Sequence, residues 1–235
     1  MDQRDPTGSL FFVPIYYSDN IIMAVILPNQ VLESGTKYNK CKYNISHQAL
    51  FQTPLFEINI DDIDNRELEK NIYNLRDKEE GITLSNRGGW HSIIQSSCRE
   101  TIDDTFKPVI DKLITVLGAL PFDPKIETVD DISIWANINP KGSHNTVHNH
   151  PNCDLAGVYY VKVPEGDCGN IGFHDPRPSL FGNTFITERY VGGTVIPRFP
   201  VEGNMYLFPS SLNHDVDTSN VDEDRISISV NLIVR

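Results

Sequence analysis

From about residue 130 to the C-terminus the sequence breaks into short runs of alternating apolar and polar residues, and no helical stripe interrupts them. Strands are expected near 131–139, 155–163, 169–174, 193–199, 204–208 and 225–234, with a turn about every ten residues. Runs of this kind bury their apolar sides only by stacking as two sheets or closing on themselves, which constrains this half of the chain to an antiparallel sandwich or barrel. The last strand states the constraint most sharply. In RISISVNLIVR, Arg225, Ser227, Ser229 and Asn231 fall on one face and Ile226, Ile228, Val230 and Leu232 on the other, the period-two pattern of a strand whose two sides have unlike surroundings. Residues 131–139 alternate in the same way, Trp135, Asn137 and Asn139 against Ile134, Ala136 and Ile138. Polar faces turned inward on several strands imply a barrel that holds a ligand, not one filled by its own side chains.

Two amphipathic helices are expected upstream. One lies near 62–78, with Leu68, Ile72 and Leu75 on one face. The other lies near 98–119, with Ile102, Phe106, Val109, Ile110, Leu113 and Leu117 as its stripe, and Pro108 either kinks it or marks its start. Between them, residues 85–92 form a glycine-bearing loop on which Trp90 and His91 either line an entrance or, for the tryptophan, plug the barrel. A third apolar run, Leu50–Ile60, precedes the first helix. Residues 10–28 read as two strands joined by Ser18-Asp19-Asn20, the first suited to a sheet edge by Pro14, and residues 29–49 as a linker. The expected organisation is an extension over 1–49, serving as an added edge element or a homo-oligomer contact away from the site, followed by the main domain over 50–235. The fold class is α+β, mostly β.

Composition removes several function classes. Apolar residues make up 39% and charged residues 22% of the chain, ordinary globular usage that argues against global disorder. With Lys+Arg 20 against Asp+Glu 32, the net charge of −12 repels phosphate backbones and argues against nucleic acid as a partner. The small basic cluster Lys37, Lys40, Lys42 reads as solvated surface. No membrane segment is expected, since the longest apolar stretch, Leu10–Leu27, is broken by Pro14 and by Ser18, Asp19 and Asn20. Met1–Gly8 lacks signal-peptide character, and 4 cysteines without CxxC spacing fit a reducing, cytoplasmic location.

The segment 144–154, HNTVHNHPNCD, gathers His144, His148, His150 and Asp154 in a chain that has only 7 histidines. In an extended segment residues i and i+2 point the same way, so His148 and His150 can face one point. Neutral imidazole is the commonest ligand for iron, zinc and copper. His144 reads as a surface histidine, and a further one, His214, follows the turn Pro209-Ser210-Ser211. On the final strand Arg225 and Ser227 share a face and make a carboxylate clamp: the guanidinium binds bidentately and the hydroxyl adds a third hydrogen bond.

Taken in order, GGWHS (88–92), HNHP (148–151), GVYYV (157–161), FHDPR (173–177), FPSSLNH (208–214) and RISISVN (225–231) resemble the iron(II)/2-oxoglutarate-dependent oxygenases, and within them the bacterial and phage branch. The resemblance covers about 50–235 and leaves 1–49 without a counterpart. It implies a double-stranded β-helix, or jelly roll, with two supporting helices. It implies Fe(II) held at one mouth by a His-x-Asp/Glu…His triad, 2-oxoglutarate as co-substrate, and hydroxylation of a small-molecule or peptide substrate. Carried over, His148 is the first metal ligand and His214 the distal one. Arg225, assisted by Ser227, pairs with the far carboxylate of 2-oxoglutarate, and Tyr160 and Asn139 take further co-substrate contacts. The acidic triad position holds His150, giving His-Asn-His where His-x-Asp is expected. Three readings stay open: His150 is the third ligand, Asp154 reaches in, or water or an anion fills the position. Two other functions also stay open. One is a cupin-like three-histidine metalloenzyme that does not use 2-oxoglutarate, against which the Arg225/Ser227 clamp weighs. The other is a non-enzymatic jelly-roll binding module, against which the clustered histidines weigh. Asp175-Pro176-Arg177-Pro178 reads as a turn whose arginine can face the mouth, and 178–203 as a long connection of the kind that covers a barrel opening.

Overall fold

The structure, a computed structural model, describes residues 12–17, 20–25, 52–60, 62–99, 101–122, 124–177 and 194–235. The chain divides into two units, Met1–Ala49 and Leu50–Arg235. In the first, β1 (Phe12–Tyr17) and β2 (Asn20–Val25) pair antiparallel from Phe12↔Val25 to Tyr17↔Asn20. Both strands of such a ribbon are edges, where a proline such as Pro14 is tolerated.

The second unit opens with β3 (Phe56–Asn59), α1 (Asn65–Arg76) and three two-residue strands, β4 (Asn86–Arg87), β5 (Trp90–His91) and β6 (Gln95–Ser96). There follow α2 (Lys107–Ala119), β7 (Val129–Asn139), β8 (His144–His148), β9 (Leu155–Lys162) and β10 (Ile171–His174). The chain ends in β11 (Val195–Arg198), β12 (Asn204–Pro209), β13 (His214–Val216) and β14 (Arg225–Val234). The larger sheet runs β3-β12-β9-β14-β7-β5, with β6 also on β7, and the smaller runs β11-β10-β13-β8-β4. Strands adjacent in the sheets are mostly distant in sequence and pair antiparallel, the arrangement of a jelly roll.

The first helix starts at a side-chain cap and the second at a proline. Asp64 accepts hydrogen bonds from the Arg66 and Glu67 amides, each at 3.1 Å, satisfying two donors of the first turn of α1. The helix expected from residue 98 begins only at Lys107, after a short 3₁₀ turn at Asp104–Phe106. Pro108 therefore marks the start and makes no kink: its missing N–H falls in the first turn, where no intrahelical partner is needed.

One sheet separates two environments. From β7 and β14, Ile132, Ile134, Ala136, Ile138, Ile226, Ile228, Val230 and Leu232 pack against Leu68 and Ile72 of α1 and Val109, Leu113 and Leu117 of α2. The intervening residues Trp135, Asn137, Asn139, Arg225, Ser227, Ser229 and Asn231 face a cavity between the two sheets. The tyrosine pair on β9 divides accordingly. Tyr159 turns to the helices and donates to Asn65 Oδ1 at 2.8 Å, while Tyr160 turns to the cavity. Trp90 takes neither role expected of it. It joins the helix-side core and donates from Nε1 to the Glu79 carbonyl, because its register partner on β7 is the helix-facing Ile138.

Candidate metal centre

Strand pairing builds the cluster. His148, the last residue of β8, lies directly opposite His214, the first of β13. His150 stands two residues beyond His148, its extended backbone held by an amide hydrogen bond to the Ser210 carbonyl at 2.9 Å. One ring nitrogen of each histidine lies within 4.8 Å of the others. His150 Nε2 and His214 Nε2 are 3.2 Å apart. Nδ1–H of His148 donates to the Thr146 carbonyl at 2.7 Å, and Nδ1–H of His214 to the Leu212 carbonyl at 2.9 Å. Those bonds fix both tautomers and leave the Nε2 lone pairs for the cluster, the usual arrangement around a metal. The Ser85 hydroxyl meets His148 Nε2 at 3.3 Å.

Electrostatics keep the three rings neutral. Burial, reinforced by the neighbouring imidazoles, pushes His150 down to about 4 and His214 down to about 3. Burial lowers His148 as well, and also His91, which lines the same cavity. Neutral imidazoles need lose no proton to bind a cation, so three of them converging suit a first-row divalent metal.

The same shifts give a stability prediction. A histidine whose folded pKa lies below its unfolded value near 6.5 binds fewer protons when folded, so stability falls as pH drops from about 6.5 towards the folded values. Chelator-treated protein is expected to lose at least about 2 kcal/mol between pH 6.5 and 4. His214→Asn should flatten the slope, and a melting temperature that is already flat in the unsubstituted protein would contradict the burial argument.

Other acidic and basic candidates lie elsewhere. Asp154 is exposed, and its Oδ2 accepts from the Val234 amide at 2.9 Å, capping the end of β14 outside the cluster. His144 pairs with Arg87 at the other end of β8. Arg177 bonds Asp175 bidentately at 2.8 and 2.6 Å within its own turn. The connection expected over 178–203 is described only from residue 194, so 178–193 lie outside the described residues.

Arg225 stands on the same cavity wall and is 3% exposed. Its Nη1 donates to the Gly169 carbonyl at 2.7 Å, and its buried Nε has no partner among the described residues. Burial lowers its pKa from the usual arginine range. Register sets Asn139 opposite Arg225 on β7, and Tyr160 opposite Ser227 on β9. All four line the cavity, and burial raises the Tyr160 phenol so that it remains a neutral donor. A buried guanidinium with an unused N–H is costly unless an anion completes it. The cavity, about 360 Å³, thus brings together three histidines that could hold a metal ion and a buried arginine with an unused donor. Sequence reasoning missed Ser85 and the carbonyls of Thr146 and Leu212, because the serine is distant in sequence and backbone acceptors carry no residue signature.

Residues 133–231 match a family model described as "Putative 2OG-Fe(II) oxygenase". A sequence search among curated proteins finds no match. Among solved structures the chain is similar to a prolyl-4-hydroxylase of Pseudomonas putida, at 14% identity and TM-score 0.51, covering 77% of this chain and 92% of that one. It is similar to a Trichoplax adhaerens prolyl hydroxylase, solved with a hypoxia inducible factor peptide fragment, at 15% identity and TM-score 0.50, covering 76% and 83%. It is also similar to HygX of Streptomyces hygroscopicus, solved with nickel and 2-oxoglutarate, at 12% identity and TM-score 0.53, covering 77% and 82%. At such identities the likeness establishes the jelly-roll fold. The family match, over less than half of the chain, covers the segment that carries the three histidines and Arg225.

Proposed function

We propose that this protein is a 2-oxoglutarate- and iron(II)-dependent dioxygenase that hydroxylates a small-molecule or peptide substrate. His148, His150 and His214 hold the metal, with His150 in the place of the usual carboxylate. Iron(II), when bound, supplies redox chemistry and open positions for the 2-oxo acid and dioxygen. The chain's own residues position and shield. Arg225 binds the far carboxylate of 2-oxoglutarate, and the Ser227 hydroxyl adds a hydrogen bond. Tyr160 and Asn139 contribute further contacts from the neighbouring strands. Phe208 and Phe173, with rings 4.9 and 6.2 Å from His214, keep water from that side of the cluster.

The observation that carries this reading is Arg225, a buried guanidinium with an unpartnered N–H in the same cavity as three neutral imidazoles. A cupin-like enzyme without 2-oxoglutarate is favoured by one observation, the absence of a carboxylate from the described cluster, but it leaves Arg225 without a task. The test is anaerobic loading with Fe(II) followed by 2-oxoglutarate titration, then admission of air. Metal-dependent 2-oxoglutarate binding and slow release of succinate are expected. Metal binding with no 2-oxoglutarate affinity at millimolar concentration would favour the cupin-like enzyme instead. A reducing cytoplasm belongs to the same proposal, supported by the free thiols of Cys98, Cys153 and Cys168.

A further inference from the structure

The three histidines are not held alike. His148 and His214 are each locked through Nδ1 to the carbonyl two residues back. His150 has no such bond among the described residues, and its ring instead lies between two others: His214, with centroids 5.0 Å apart and planes inclined by 9°, and Trp135 on the cavity wall, at 5.8 Å and 29°. Trp135 in turn stacks on His91 at 5.4 Å and 8°. The series is anchored at its far end, where His91 Nδ1 meets the Ser92 carbonyl at 2.6 Å. Trp135 is 6% exposed and His91 3%, on the paired strands β7 and β5, so neither ring is free to turn aside.

A carboxylate ligand offers several lone pairs and tolerates rotation, whereas an imidazole must aim one lone pair in the plane of its ring. His150 occupies the position where the resembled family has a carboxylate, so here the ring plane has to be set by something. We propose that Trp135, backed by His91, is a positioning residue that sets the ring plane of His150, doing by stacking what the Thr146 and Leu212 carbonyls do for the other two rings. Stacked aromatic rings at these separations attract one another and resist tilting. The inference rests on the metal centre proposed above.

The test uses the full chain and Co(II), whose visible spectrum reports ligand number and geometry. Trp135→Leu is expected to weaken Co(II) binding roughly tenfold, the lower end of what loss of a supporting contact costs a metal site. Its bands should move towards those of His150→Ala. Trp135→Phe, which keeps a ring to stack on, should restore both affinity and spectrum, an outcome that loss of packing volume alone does not produce. If Trp135→Leu does not fold, Trp135→Met fills similar space without a ring and carries the same expectation. Unchanged Co(II) affinity and spectrum in a folded Trp135→Leu or Trp135→Met variant, with binding still lost in His214→Ala, would overturn the positioning role and leave the metal centre standing. Absence of Co(II) binding in the unsubstituted protein would overturn both.

Discussion

Arg225→Ala weakens 2-oxoglutarate binding by roughly ten- to a hundredfold or more and leaves metal affinity unchanged, as read by titration of the metal-loaded protein. The side chain is 3% exposed, so its charge acts where screening is weak. Its one hydrogen bond within the described residues goes to the Gly169 carbonyl, which positions the guanidinium without neutralising it. Charge-assisted hydrogen bonds are worth roughly 1.5–3 kcal/mol, and about 1.4 kcal/mol corresponds to each decade of affinity. Arg225→Lys should recover only part of the loss, since an ammonium cannot present the planar fork and cannot also reach two acceptors in the same geometry. Full 2-oxoglutarate affinity in Arg225→Ala would show that the co-substrate is anchored elsewhere.

The second large effect is expected at His214. Its Nε2 lies 3.2 Å from that of His150, and its residue sits directly across the ladder from His148. Removing it takes away the nitrogen that links the other two, and His214→Ala should abolish stoichiometric Fe(II) or Co(II) binding as measured by metal analysis after gel filtration. The remaining pair, His148 and His150, offers only two nitrogens from one short stretch and loses the contribution of the facing strand. His144→Ala, in the same strand as His148 but outside the cluster, serves as the control and should retain full occupancy. Retention of full occupancy in His214→Ala would dismantle the cluster as described.

How much was legible before the fold differs from element to element. The alternation of β7 and β14 was readable because a period of two assigns each residue to a face without knowledge of the partner strand, and the faces proved to be a helix-packed core and a cavity wall. The second tyrosine of β9 falls on the cavity side by the same rule. The start of α2 was misplaced because an apolar stripe continues through Ile102 and Phe106, and only Pro108 in the first turn marks where α-helical hydrogen bonding begins. Trp90 was misassigned because a two-residue strand is too short to carry a pattern. Its side is dictated by Ile138 across the ladder, a partner no local reading supplies.

The sequence by itself determined a mostly β chain with two supporting helices, and it singled out the residue types that can hold a metal and an anion. That much follows from local periodicity and side-chain chemistry, which need no long-range information. Only the tertiary structure decided which of those residues meet. Pairing of β8 with β13 sets His214 against His148, and the capping of β14 draws Asp154 away from the cluster. The fold also sets His150 against Trp135, which itself stacks on His91. Each of these depends on the register between strands far apart in the chain, and register is set by cooperative packing of whole faces, which no short stretch of sequence encodes.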